Sequence, residues 1–139
     1  MNKILALILL VNFSFASMPE FAHKKVFKLK KDEQAYVYIR EKGNNDWEVF
    51  NFSWTLYDSL NLVVHTKFRK FPRQVMLSLR RGLELYKQNI LPAKLKVNED
   101  DIILYMEFFK FDKNIAYFNI MFKDKTNRIK VEFKPNQNE

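Results

Sequence analysis

Residues 102–133 read IILYMEFFKFDKNIAYFNIMFKDKTNRIKVEF, three apolar runs separated by Asp112-Lys113-Asn114 and Asp124-Lys125-Thr126-Asn127. Apolar and polar residues alternate in each run, the period of a strand with one buried face. The alternation also fixes a register. A hairpin loop over 112–114 sets Phe108 opposite Phe118, Met106 opposite Ile120 and Leu104 opposite Phe122, all on one side. A second loop over 124–127 puts Ile129, Val131 and Phe133 on that same side, with Arg128, Lys130, Glu132 and Lys134 toward water. A slip of one residue would turn every side chain over. The stretch therefore reads as a three-stranded antiparallel meander.

Upstream, residues 71–91 (FPRQVMLSLRRGLELYKQNIL) change period. Val75, Leu79, Leu83, Tyr86 and Ile90 are spaced as a helical stripe, Pro72 suits a first helical position and Pro92 ends the run. Against this, Arg73, Val75, Leu77 and Leu79 alternate as a strand would, and Gly82 weakens a helix interior by about 1 kcal/mol. The spacing favours an amphipathic helix over 72–90. Ala93 to Val97 then reads as a short strand and Asn98 to Asp101 as a turn.

Before the helix, Trp47 to Tyr57 forms a long strand grouping Phe50, Phe52, Trp54 and Leu56. Asp58-Ser59 turns the chain, and Leu60, Leu62, Val64 and Phe68 return on the core face. This pairs Leu56 with Leu60, Trp54 with Leu62 and Phe52 with Val64. Residues 35–41 alternate with Ala35, Val37 and Ile39 inward, and Lys42 to Asp46 is a loop whose Gly and Asn tolerate positive φ. Phe27 and Leu29 face a sheet while Lys28 and Lys30 point out, as on a protected edge strand. Strands, one helix, then strands predict an α+β domain: an antiparallel β-sheet in two strand groups with one central amphipathic helix packed on it. The alternative is an all-β sandwich or small barrel.

Residues 1–16 (MNKILALILLVNFSFA) have a positive start and an apolar run too short to span comfortably, with Ser14 and Ala16 at signal-peptidase spacing. They read as a cleavable signal peptide, followed by a single globular domain over 17–139 whose last residues, 134–139, fray. Removing Lys3 takes the formal charge from +8 to +7. Export is the expectation, to the periplasm if the source is a two-membrane bacterium, and the processed chain is not expected to be an integral membrane protein.

A chain of 139 residues that is 47% hydrophobic, with 14 Phe, is enough for one packed core. With no Cys, disulfides, thiol nucleophiles, Cys-ligated zinc and lipid anchoring through Cys are excluded. Only two Gly argue against phosphate-cradling loops, and no catalytic serine, Walker or Rossmann pattern occurs. His23 and His65 stand alone, with no spaced ligand partner. Asn98 to Asp101 resembles a calcium loop in composition but lacks its ligand spacing and glycine. No cofactor is expected, and no enzyme chemistry.

The net charge of +8 points to an anionic partner. Lys67, Arg69, Lys70, Arg73, Arg80 and Arg81 occur with no acid between Asp58 and Glu84. On a helix, Arg73, Arg80 and Lys87 line one exposed side, suited to charge-assisted bonds with phosphate or carboxylate. These seven residues are the candidate anion- and partner-binding set. Tyr36, Tyr38, Trp47, Tyr57 and Tyr105 fall on the faces opposite the core. The expectation is a non-catalytic envelope protein that binds anionic lipid, lipopolysaccharide or an acidic envelope protein through a basic helix face. Nucleic acid does not suit an exported chain. A small outer-membrane β-barrel and a periplasmic hydrolase are the alternatives.

Overall fold

A computed structural model describes residues 21–79, 85–92 and 101–134. Nine strands form among these residues: β1 (His23–Lys30), β2 (Ala35–Glu41), β3 (Glu48–Asp58), β4 (Asn61–Phe68), β5 (Phe71–Ser78), β6 (Tyr86–Leu91), β7 (Ile102–Asp112), β8 (Ile115–Lys123) and β9 (Ile129–Lys134). They make two antiparallel sheets, ordered β1-β8-β7-β6 and β5-β4-β3-β2-β9. The two sheets pack face to face around the apolar side of each alternating strand. Phe52 of the five-stranded sheet lies 5.5 Å from Phe27 and 5.2 Å from Phe118 of the other, ring centre to ring centre. Such edge-to-face pairs add about 0.5–1.5 kcal/mol each beyond the area they bury. Among the described residues two buried polar bonds also cross the interface: Trp54 Nε1 donates to the Leu29 carbonyl at 2.8 Å, and the Thr66 and Tyr86 hydroxyls share a bond at 3.2 Å.

The α+β expectation is overturned: the described residues hold no helix, and the architecture is the all-β sandwich alternative. Phe71–Ser78 pairs with β4 from Phe68↔Phe71 to Asn61↔Ser78, and Tyr86–Leu91 pairs with β7. The misreading has a physical cause. A spacing of four, as in Val75–Leu79 and Tyr86–Ile90, fits two strand periods as well as one helical turn. Only the step from Leu83 to Tyr86 separates the two, and Leu83 lies outside the described residues. The β4–β5 turn was equally hidden. Its residues Arg69 and Lys70 both take positive φ, 50° and 66°, without the Gly, Asn or Asp that announces such a turn.

The 102–133 register holds on one side and fails on the other. Leu104↔Phe122, Met106↔Ile120 and Phe108↔Phe118 pair as read. The turn itself is Lys113-Asn114, and a bulge between Phe108 and Lys110 supplies the extra residue. However, β9 does not complete a meander. The free edge of β8 is taken by β1, so β9 crosses to the other sheet and pairs with β2. Ile129, Val131 and Phe133 still face the core, and Lys130, Glu132 and Lys134 still face water. Asp124 holds the crossover. Its buried carboxylate accepts from the Arg128 and Ile129 amides at 2.8 and 3.1 Å.

A second bulge corrects the β3–β4 hairpin. The turn is Ser59-Leu60, Trp54 pairs with Val64 and Leu56 with Val63, so Thr55 is the extra residue. From there the alternation inverts. Leu56 turns out to 57% exposure, and Tyr57 turns in to stack on Phe111 at 3.7 Å. The two positions make a test of the register. In urea denaturation, Phe118→Ala should cost about 3–5 kcal/mol by leaving a core void. Leu56→Ser should stay within about 0.5 kcal/mol of wild type. Comparable losses at both would place Leu56 back in the core.

Candidate functional site

The seven candidate residues do not form one surface. Lys67 is exposed on the outer face of β4, across from Asn51 and Pro72. Arg73 stands opposite buried Thr66 on the edge strand β5, with its side chain exposed. Lys87 is on β6 in the other sheet, its ammonium 5.7 Å from the centre of the Tyr105 ring. Lys67 and Lys87 thus face away from each other across the sandwich. Lys70 is an exposed turn residue, and Arg80 and Arg81 lie outside the described residues. A line through Arg73, Arg80 and Lys87 requires the helix that the strands replace.

Arg69 is committed elsewhere. Its Nη2 donates to the Ile90 carbonyl at 2.7 Å and its Nε to Glu48 at 2.8 Å, while the guanidinium lies over the Phe68 ring. Arg128 makes a matching contact from the other side, donating to the Pro92 carbonyl at 3.1 Å with Glu41 3.6 Å away. The two arginines tie the end of β6 to the five-stranded sheet. Between them, Ile39, Glu41, Asn44, Asp46, Glu48, Ile90 and Leu91 line a recess of about 120 Å³. Among the described residues no group of three His, Cys, Asp or Glu is arranged to hold a metal ion.

The outer face of the four-stranded sheet carries the larger constellation. Lys24, Lys28 and Lys30 of β1, Lys87 of β6, Lys110 of β7 and Lys123 of β8 alternate outward. Among the described residues the acids on outward strand positions of this sheet are Glu107 and, at the β7–β8 turn, Asp112. Between the lysines lie aromatic rings. Tyr117 has the Lys28 ammonium 5.6 Å and the Lys110 ammonium 4.9 Å from its centre. Phe109 meets its edge at 6.1 Å, and Phe21 packs on Tyr105 at 5.6 Å. Each ammonium–ring contact is worth about 0.5–1 kcal/mol at such exposed positions. The alternation in residues 24–30 announces its outward lysines. That β1 lies beside β8, which gathers these lysines with Lys110 and Lys87, is a property of strand order alone.

The opposite outer face holds Tyr36, Tyr38 and Trp47 as expected, with Lys134 over Tyr38 at 4.5 Å and Arg40 over Trp47 at 5.0 Å. His65 lies on this face and shares a 2.8 Å hydrogen bond with the Thr55 hydroxyl. Tyr57 is absent from it, turned inward by the β3 bulge.

His23 is the first residue of β1. Its ring meets Phe122 edge-on at 6.1 Å, and Nε2 is 3.9 Å from the buried Asp124 carboxylate. Burial pushes its pKa below the ordinary 6.5, and Lys42 adds to that; Asp124 and a backbone hydrogen bond with Ile129 pull the other way without prevailing. The contact with Asp124 is therefore not an ion pair at neutral pH. A lowered folded-state pKa means that the unfolded chain takes up the proton first as pH falls. The contribution of His23 to stability is complete above pH 6.5 and is lost on acidification through the folded value. Urea titrations from pH 7 downward should show this loss in wild type and a shallower one in His23→Gln, with equal slopes excluding the effect. No protein-family model matches this chain, and neither the curated proteins nor the solved structures gave a match.

Proposed function

We propose that this is an exported binding module, without catalysis of its own, that attaches to an anionic partner in the cell envelope. The attachment surface is the outer face of the four-stranded sheet. The observation that carries this reading is its charge: at the described strand positions, six lysines from four strands against Glu107 and Asp112. Lipid head groups, lipopolysaccharide and an acidic envelope protein share the chemistry that such a face attracts. The leader-like residues 1–16 support the exported location.

The all-β architecture agrees better with the outer-membrane barrel alternative than a basic helix would. The distribution of polarity weighs against that alternative. A membrane barrel is apolar outside and polar within, whereas here Phe50, Phe52, Phe118 and Phe122 fill the interior and lysines cover the exterior. Among the described residues the hydrolase alternative finds no carboxylate or second histidine in hydrogen-bond contact with His65; the Thr55 hydroxyl occupies its Nε2.

Two measurements test the proposal. Purified protein should co-sediment with anionic vesicles or with lipopolysaccharide but not with neutral vesicles, and salt should weaken the binding as screening shortens the reach of surface charge. Reversing Lys24, Lys87 and Lys123 to Glu should weaken it by more than tenfold, at about 1 kcal/mol per basic residue near an anionic surface. Absence of binding at low salt would overturn the reading. Intact mass of the protein recovered from a two-membrane bacterium should begin at Ser17; a mass retaining residues 1–16 would remove the case for a cleaved leader.

A further inference from the structure

The lysine-covered face is not uniform. Toward Lys24 and Lys123 its surface is filled, with Met121 only 5% exposed. Toward the β7–β8 turn it is more open, with exposed apolar side chains set among Lys28, Lys30, Lys110 and Asp112. Phe109, at the edge of the Tyr117 ring, is 41% exposed, and Val26, on β1 opposite Asn119, is 44% exposed. The β7 bulge creates this end of the face. Phe108 pairs with Phe118 and Lys110 with Tyr117, so Phe109 and Lys110 are consecutive residues that both point outward. Phe111 is thereby returned to the core, 5.5 Å from Trp54. Bulges commonly re-aim side chains where a surface has work beyond pairing.

We propose that this end of the sheet is a membrane-docking surface for a bilayer containing anionic phospholipid, with Phe109 and Val26 entering the head-group boundary and Lys28 and Lys110 meeting the phosphates. The proposal rests on the anionic-partner reading above and narrows it to one occupant. Charge complementarity selects an anionic surface, but charge alone would suit any polyanion. The exposed apolar pair is what selects a bilayer. A soluble polyanion offers Phe109 and Val26 nothing to bury against, whereas a lipid interface accepts rings and aliphatic groups. The Lys28 and Lys110 ammonium groups lie over the Tyr117 ring, 5.6 and 4.9 Å from its centre, on flexible stems long enough to carry them to the head-group level.

The experiment compares vesicles of mixed phosphatidylglycerol and phosphatidylcholine with pure phosphatidylcholine vesicles and with dextran sulfate, a soluble polyanion. Wild type should bind the anionic vesicles. Phe109→Ser should lower that partitioning by about tenfold, the loss of one partly buried aromatic ring, and leave dextran sulfate binding unchanged. Val26→Ser should act in the same direction, so that a folding defect in one variant does not decide the outcome; thermal melting reports the fold of each. Lys28→Glu with Lys110→Glu should weaken binding to both anionic probes, at about fivefold or more for each residue. Lys67→Glu with Lys134→Glu, on the opposite face, should bind as wild type does. In Phe109→Trp, emission should shift to the blue on adding anionic vesicles. Wild-type vesicle binding by Phe109→Ser and Val26→Ser, together with loss in the lysine variant, would overturn the bilayer and leave the anionic-partner reading intact. No salt-sensitive binding of wild type to any anionic probe would overturn both.

Discussion

The contact of Phe52 with Phe27 and Phe118 is the constraint on which the rest of the molecule depends. It brings the middle of one sheet against the middle of the other, at positions fully or almost fully buried. Removing a large apolar side chain from water is worth about 1.5–3 kcal/mol, and the strands can collect that gain only with a common inward side. Everything that alters parity therefore has to be compensated. The bulge at Thr55 is matched by Tyr57, which turns inward and stacks on Phe111. The bulge at Phe109 is what brings Phe111 to that meeting point. The two irregularities lie in different sheets and join through one aromatic stack.

The ends of the sandwich are closed by polar groups. Arg69 and Arg128 reach carbonyl oxygens at the end of β6, each beside a glutamate of the five-stranded sheet. Arg69 and Glu48 are both substantially exposed, so their ion pair adds little by itself. Its larger effect is to hold the β4–β5 turn, whose two residues occupy a backbone region that L-residues rarely adopt. Asp124 does comparable work at the crossover into β9, capping two amides that would otherwise be buried without a partner. These side chains stabilise the fold, which removes Arg69 from the stock of free positive charge.

What remains of the charge is mostly lysine, and its distribution follows from strand alternation. Outward lysines on β1 protect the exposed edge of the four-stranded sheet from pairing with another chain. The same lysines, set beside Tyr117 and the outward Phe109, give that face its combination of charge and apolar surface. One arrangement can discourage edge pairing and attract an anionic surface, because both effects depend on cations held outside an apolar sheet.

The sequence by itself determined which side chains are buried on most strands. Phe27, Leu29, Ala35, Val37, Ile39, Phe50, Leu104, Met106, Phe118 and Ile120 alternate inward exactly where period two puts them, since a strand's neighbours cannot change which side a residue faces. It also determined the β7–β8 register, because the stretch offers one alignment that buries both apolar faces. Only the tertiary structure decided which strands are neighbours. The inward face of β9 satisfies a place beside β8 or beside β2 equally well, and the choice fell to β2 because β1 already occupies β8. Phe71–Ser78 and Tyr86–Leu91 were decided in the same way, as spacings of four fit helix and strand alike until β4 and β7 supply hydrogen-bonding edges. The candidate surface was illegible for that reason. Its lysines lie far apart in the chain, and strand order, which no local pattern encodes, is what brings them onto one face.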